Sequence, residues 1–103
     1  MIELDKRYVL HVPLAKFVDG EVISIDIDDI LEDLTCRLDN FYITMAEGHY
    51  RSREYDELLI TVFASEGSIE EIFRRWFAEN SDVLSQEAFA YEINNRMIIE
   101  EVK

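Results

Sequence analysis

The chain has 103 residues, of which Leu, Ile, Val and Phe make up a third, and this apolar content excludes intrinsic disorder and supports one independent core. Its 23 acidic residues against 10 basic ones leave a net charge of −13, which excludes a nucleic-acid backbone or an anionic membrane surface as partner and leaves a cation or a basic protein. A single cysteine, Cys36, excludes an internal disulfide framework and points to a reducing, cytoplasmic setting, and no apolar run approaches the length of a membrane span.

Three glycines and one proline give little punctuation, with no linker or repeat, so residues 1–103 read as one domain. Arg7 to Leu14 alternates: Tyr8, Leu10, Val12 and Leu14 share one parity, Arg7, Val9, His11 and Pro13 the other. That is a strand with one cleaner apolar face, and Pro13, which has no N–H to give to a ladder, marks its margin. Asp19-Gly20, flanked by Phe17-Val18 and Val22-Ile23, predicts a tight turn in a short excursion. A helix is expected from Asp26, whose carboxylate can accept first-turn N–H groups, with Ile27, Ile30, Leu31, Leu34 and Leu38 on one face. Asp28, Asp29, Glu32 and Asp33 then sit near the positive end of its dipole and Arg37 near the negative end.

Phe41 to Tyr50 alternates again, Arg51 to Tyr55 is a polar break, and Glu57 to Ala64 is rich in β-branched and aromatic residues. These predict two strands joined as an antiparallel hairpin. Ser68-Ile69-Glu70-Glu71 is a capping box opening a second helix, whose apolar face is Ile69, Ile72, Phe73, Trp76 and Phe77. Glu70–Arg74 and Glu71–Arg75 pair along it, and it is expected to fray near Asn80-Ser81. Glu87 to Asn94 reads as a fourth strand, and Asn94-Asn95 turns into a short last strand at Met97 to Val102.

The order β, α, β, β, α, β with a tail predicts an α+β, ferredoxin-like two-layer sandwich: two helices over one face of an antiparallel sheet, with a short extra C-terminal strand. The segments Val12-Pro13-Leu14 with Asp19-Gly20-Glu21-Val22, Gly48-His49-Tyr50-Arg51 through Leu58-Leu59-Ile60, and Gln86-Glu87-Ala88-Phe89 strengthen this expectation. In them the chain resembles small prokaryotic ferredoxin-like families with no established activity. The resemblance spans most of the chain; it implies a fold and leaves the function open.

Few side chains point to chemistry. The acidic run from Asp26 to Asp33 fails as a calcium loop, because Leu31 falls where the turn glycine belongs and Arg37 where the bidentate glutamate belongs. His11, His49 and Cys36 lie on three elements with no metal-ligand spacing, so no metal is expected. Cys36 sits about 200° around the helix from Leu34, a surface thiol toward the negative helix end. There is no nucleophile elbow, phosphate-cradling loop or dinucleotide fingerprint, hence no expected catalytic residue or cofactor. The one local inversion of charge is His49-Tyr50-Arg51-Ser52-Arg53-Glu54-Tyr55, which reads as a polar hairpin tip whose arginines answer neighbouring carboxylates, or as a grip for an anionic small ligand with Arg51 and Arg53 as forked donors and Tyr50 as a stacking surface.

Parity leaves Tyr42, Thr44, Glu57, Leu59, Thr61 and Phe63 on the face away from the helices, a surface too apolar for water alone. A second copy, the Phe17 to Ile23 excursion or a ligand would cover it. The first reading is a non-enzymatic assembly module that forms a homodimer through this face, with Thr44, Leu59, Thr61 and Phe63 at the interface. The alternative is a small-molecule-binding protein or small enzyme, with a pocket between the sheet face and the hairpin loop, using His49, Tyr50, Arg51, Arg53, His11 and Tyr42. A third is an acidic interaction protein for a basic partner.

Overall fold

The computed structural model describes residues 3–50, 52–65, 69–84 and 88–101. Strand β1 (Lys6–Pro13) leads into a hairpin of β2 (Ala15–Val18) and β3 (Glu21–Ser24), followed by α1 (Asp28–Arg37), β4 (Tyr42–Tyr50), β5 (Arg53–Ala64), α2 (Ile69–Leu84), β6 (Ala88–Ile93) and β7 (Arg96–Glu101). The main sheet has five strands in the order β4-β5-β1-β6-β7, all neighbours antiparallel.

The two parities of β1 build the molecule. Tyr8, Leu10 and Val12 are buried together with Leu58, Ile60 and Val62 of β5 and with Phe89 and Tyr91 of β6. Against them pack Ile30 and Leu34 of α1 and Phe73, Trp76, Phe77 and Leu84 of α2, so both helices lie on one face and form the second layer. The Trp76 indole N–H donates to the Ile30 carbonyl at 2.8 Å, which joins the helices where Trp76 is wholly buried. Phe77 stacks on Phe89 with ring centres 4.7 Å apart, Phe89 stacks on Tyr91 at 5.5 Å, and Phe73 meets the edges of Tyr91 and Tyr8.

Several boundaries differ from those expected. α1 begins at Asp28, close to the expected start near Asp26, whose carboxylate accepts the Asp28 N–H at 3.2 Å and so turns the chain into the helix. α2 does not fray at Asn80-Ser81. The Asn80 side-chain amide donates to the Trp76 carbonyl at 2.8 Å, and the last turn holds Leu84 fully in the core, which outweighs the turn-forming tendency of Asn and Ser. The Asp19-Gly20 excursion forms its own two-stranded sheet, with φ of 51° and 81° at the two turn residues, the paired left-handed conformation of a primed hairpin turn. The capping box and Gln86-Glu87 involve Ser68, Gln86 and Glu87, which lie outside the described residues, as does Val102.

The helices do not reach the β4 edge. Ile43 and Met45 have the parity of the helix side, as expected, yet are 47% and 68% exposed. Beyond Pro13 the β4–β5 hairpin continues as a two-stranded arm from Glu47↔Asp56 to Tyr50↔Arg53, anchored where the Leu14 N–H donates to the Asp56 carbonyl at 3.0 Å.

On the helix side of β7, Glu100 accepts two hydrogen bonds from Arg74, at 2.8 and 2.9 Å, and one from the Tyr91 hydroxyl at 3.1 Å. The Arg74 bonds hold the Glu100 carboxyl below its usual range, while burial and then this bond to Glu100 push the Tyr91 phenol up. A carboxyl lowered in the folded state contributes stability that is present above its unfolded value and is lost as pH falls through the folded one. Urea unfolding of the parent protein is therefore expected to show falling stability from about pH 5 toward pH 3, with a shallower slope in Arg74→Ala. The buried Tyr8 hydroxyl has no hydrogen-bond partner among the described residues. Tyr8→Phe removes an unsatisfied polar atom and is expected to raise unfolding free energy by about 1 kcal/mol, read from urea midpoints at constant m.

Candidate functional site

The face of the sheet away from the helices is built by the other parity of each strand. β1 contributes Val9 and His11, β5 Tyr55, Glu57, Leu59 and Thr61, β6 Ala90 and Glu92, and β7 Met97 and Ile99. Val9 is only 1% exposed although it lies on this face, flanked by Thr61 and Glu92 on the adjacent strands.

At its centre stands His11. Its direct cross-strand partners are Leu59 and Ala90, both without charge. Glu57 lies opposite Pro13 and Glu92 opposite Val9, so the two carboxylates occupy diagonal corners on opposite sides of the histidine. Long side chains reach across such diagonals. Nδ1 of His11 lies 3.2 Å from Glu57 Oε1 and Nε2 lies 2.7 Å from Glu92 Oε2. The three side chains keep only 17%, 15% and 27% of their exposure, so the cluster is sheltered while still open to a ligand. A neutral imidazole has one N–H and can donate to one of these carboxylates; the protonated ring donates to both. Each ring nitrogen thus has a carboxylate within hydrogen-bond distance, on opposite sides of the imidazole. The carboxylates sit at opposite ring nitrogens and do not share a coordination point, and no cluster among the described residues is placed to hold a metal ion.

Tyr55 extends the site toward the arm. Burial, and then the charge of Glu57, raise its phenol above the usual range, so its hydroxyl stays protonated beside the triad. Tyr55 faces Gly48 across the hairpin, and its ring occupies the space that a side chain at position 48 would take.

The residues singled out from the sequence do not assemble as expected. Leu59, the partner of His11, lies six residues from Arg53, so the hairpin end is about 20 Å from His11 at 3.3 Å per residue. His49 has the opposite parity from the open face and bonds Glu47 at 3.0 Å on the exposed arm. Arg51 lies outside the described residues, as do the side chains of Tyr50 and Arg53, and those of Phe17, Val18 and Val22. Tyr42 does lie on the open face, two strands from Val9, edge-on to Phe63 at 6.2 Å. Thr44, Leu59, Thr61 and Phe63, expected as a dimer interface, share this face with His11. Cys36 is exposed, and no helix among the described residues is long and apolar enough to cross a membrane.

Glu57 and Glu92 are the site residues that sequence reasoning missed, and Tyr55, at the end of the basic hairpin segment, was given no role there. Parity placed Glu57 on the open face and set Glu92 apart from Phe89, Tyr91 and Ile93. What was missing was the strand order that puts β5 and β6 on either side of His11.

No protein-family model matches the chain, and no curated protein matches it. Among solved structures the chain is similar to a phage SAM lyase in its apo state, with a TM-score of 0.68 at 16% identity, covering 100% of this chain and 96% of that one. It is also similar to a phage SAM lyase in complex with S-methyl-5'-thioadenosine, with a TM-score of 0.65 at 16% identity, covering 94% of this chain and 89% of that one. At that identity the likeness shows a shared fold. Both neighbours are an enzyme, and one holds a nucleoside, which contradicts the expectation of a non-enzymatic assembly module. The face expected to pair with a second copy carries a histidine between two carboxylates.

Replacing His11 leaves Glu57 and Glu92 without their shared partner. His11→Leu is expected to lower unfolding free energy by about 1–3 kcal/mol at pH 7, read from chemical denaturation of the variant beside the parent.

Proposed function

We propose that this chain is a small enzyme that binds a cationic nucleoside of the S-adenosylmethionine type on the open face of its sheet and cleaves it as a lyase does. The observation that carries the reading is the His11–Glu57–Glu92 triad, a proton-holding group sheltered at the centre of the face that the helices leave uncovered. The two neighbouring structures support it by fold. The strand order, with β1 and β5 central and each helix joining strands that are not neighbours, supports the ferredoxin-like arrangement, with β7 added at one edge.

Charge decides the sign of the ligand. The anionic ligand expected from the sequence rested on Arg51 and Arg53, but the hairpin end is far from His11. Glu57 and Glu92 make the sheltered part of the face acidic, and no described lysine or arginine pairs with either. A sulfonium centre is a compact cation without N–H donors, and it is stabilised by carboxylates whose water has been partly removed. The net charge of −13 favours its approach. With the ligand bound, Glu57 or Glu92 stands where it can accept a proton released by the departing chain, with His11 between them as the shared hydrogen-bond partner.

Cleavage breaks the bond between the sulfonium sulfur and the aminobutyrate chain, and the electron pair goes to sulfur to give neutral S-methyl-5'-thioadenosine; the chain leaves as the lactone closed by its own carboxylate, or as the unsaturated amino acid once a carboxylate of the triad takes the proton from the carbon next to the broken bond. Incubation of the full chain with S-adenosylmethionine is expected to release S-methyl-5'-thioadenosine, followed by chromatography with mass detection. Glu57→Gln and His11→Asn are expected to slow release by about 10²–10⁴-fold, the usual span for loss of a positioned acid or base. Unaltered substrate after long incubation, together with no shift in melting temperature, would overturn the reading.

A further inference from the structure

The open face holds an aromatic ring in an unusual posture. Gly48 lies in the middle of the hairpin pairing, opposite Tyr55. Its backbone does not require glycine: the residues with positive φ among those described are Asp19, Gly20, Ser52 and Asn94. A glycine within a strand weakens it and commonly marks a close approach by another group. Here that group is Tyr55, since a Cβ at position 48 would run into the outer edge of the phenol ring, at Cζ, Cε2 and the hydroxyl oxygen. The ring therefore reaches across to β4 and lies over Gly48, and the residue is half-buried.

The position of this ring matters as much as its posture. Tyr55 is two residues from Glu57 on the same face, about 7 Å along the strand. That is the scale on which a ribose separates a planar base from the sulfur at its 5' carbon. The order along the face is flat ring, carboxylate, imidazole, carboxylate. Tyr42, the other tyrosine on this face, is less suited: it stands edge-on to Phe63 and lies two strands away from Val9, the cross-strand partner of Glu92.

We infer that Tyr55, lying over Gly48, is the stacking platform for the planar base of the ligand and fixes a nucleoside with its charged end over Glu57 and His11. The inference rests on the reading of this face as a nucleoside site, and it makes Tyr55 a determinant of base recognition, separate from the proton-holding triad. Stacking on an aromatic side chain tolerates Phe or Trp and is lost with an aliphatic residue.

The test is calorimetric titration of the full chain with two neutral probes, S-methyl-5'-thioadenosine and S-methyl-5'-thioribose, which lacks the base. Tyr55→Phe and Tyr55→Trp are expected to bind thioadenosine within about threefold of the parent. Tyr55→Leu, and Gly48→Ala, which displaces the ring, are expected to weaken it about tenfold or more while leaving thioribose binding unchanged. Equal weakening of both probes, or undiminished thioadenosine binding by Tyr55→Leu, would overturn the platform while leaving the site reading in place. A parent protein that binds neither probe would overturn both. Thermal melts of each variant separate loss of folding from loss of the platform, and Tyr55→Trp keeps the test open should Tyr55→Leu fold poorly.

Discussion

The structure depends on the central position of β1, which is bonded to β5 on one side and β6 on the other. A strand alternates its side chains between faces, so one strand with two paired edges must serve two environments at once. Tyr8, Leu10 and Val12 are drawn into the helix-covered core, and the same alternation presents Val9 and His11 to the opposite face. A shift of register by one residue would reverse this, placing an imidazole in the core and three large apolar groups on the surface. The burial of Tyr8, Leu10 and Val12 therefore also fixes where His11 stands.

From this follows the chemistry of the open face. Antiparallel pairing sets Leu59 and Ala90 directly opposite His11 and puts the charged residues on the diagonals. A histidine paired directly with one carboxylate would satisfy one nitrogen. Diagonal placement on two strands sets an acceptor beside each nitrogen, from opposite directions. The arm then adds Tyr55, whose ring lies over Gly48 because the glycine leaves space for it. The site is thus assembled from β1, β5 and β6, with β4 contributing a missing side chain.

The helix layer has a different role. Trp76 joins the helices by its bond to Ile30, and Arg74 ties α2 to the outer strand through Glu100, which also accepts from Tyr91. These contacts hold the sheet from one side only and stop short of β4, where Ile43 and Met45 stay exposed. A rigid support behind β1, β5 and β6 with an open front is the arrangement in which side chains on strands can keep a fixed geometry while a ligand reaches them.

Much of this was legible in the residues alone. The helical spacing of Ile30, Leu34 and Leu38, and of Phe73, Trp76 and Phe77, identified the faces that are buried, because a 3.6-residue period can serve only one side of a helix. The alternation in β1 and β5 separated the two faces of the sheet, and Asp19-Gly20 marked its turn, since both are properties of local backbone geometry. The ends of α1 and α2 were less legible: Asp26 turns the chain before the helix, and Leu84 holds a final turn that Asn80 and Ser81 alone would not predict. The site was the least legible part. His11, Glu57 and Glu92 are 46 and 81 positions apart from the histidine outward, and no local period relates them. The sequence by itself determined which residues face away from the core. Only the tertiary structure decided that β5 and β6 flank β1, because strand order is set by how the two helices cross the sheet and bury their apolar faces, and that order alone brings two carboxylates to one imidazole.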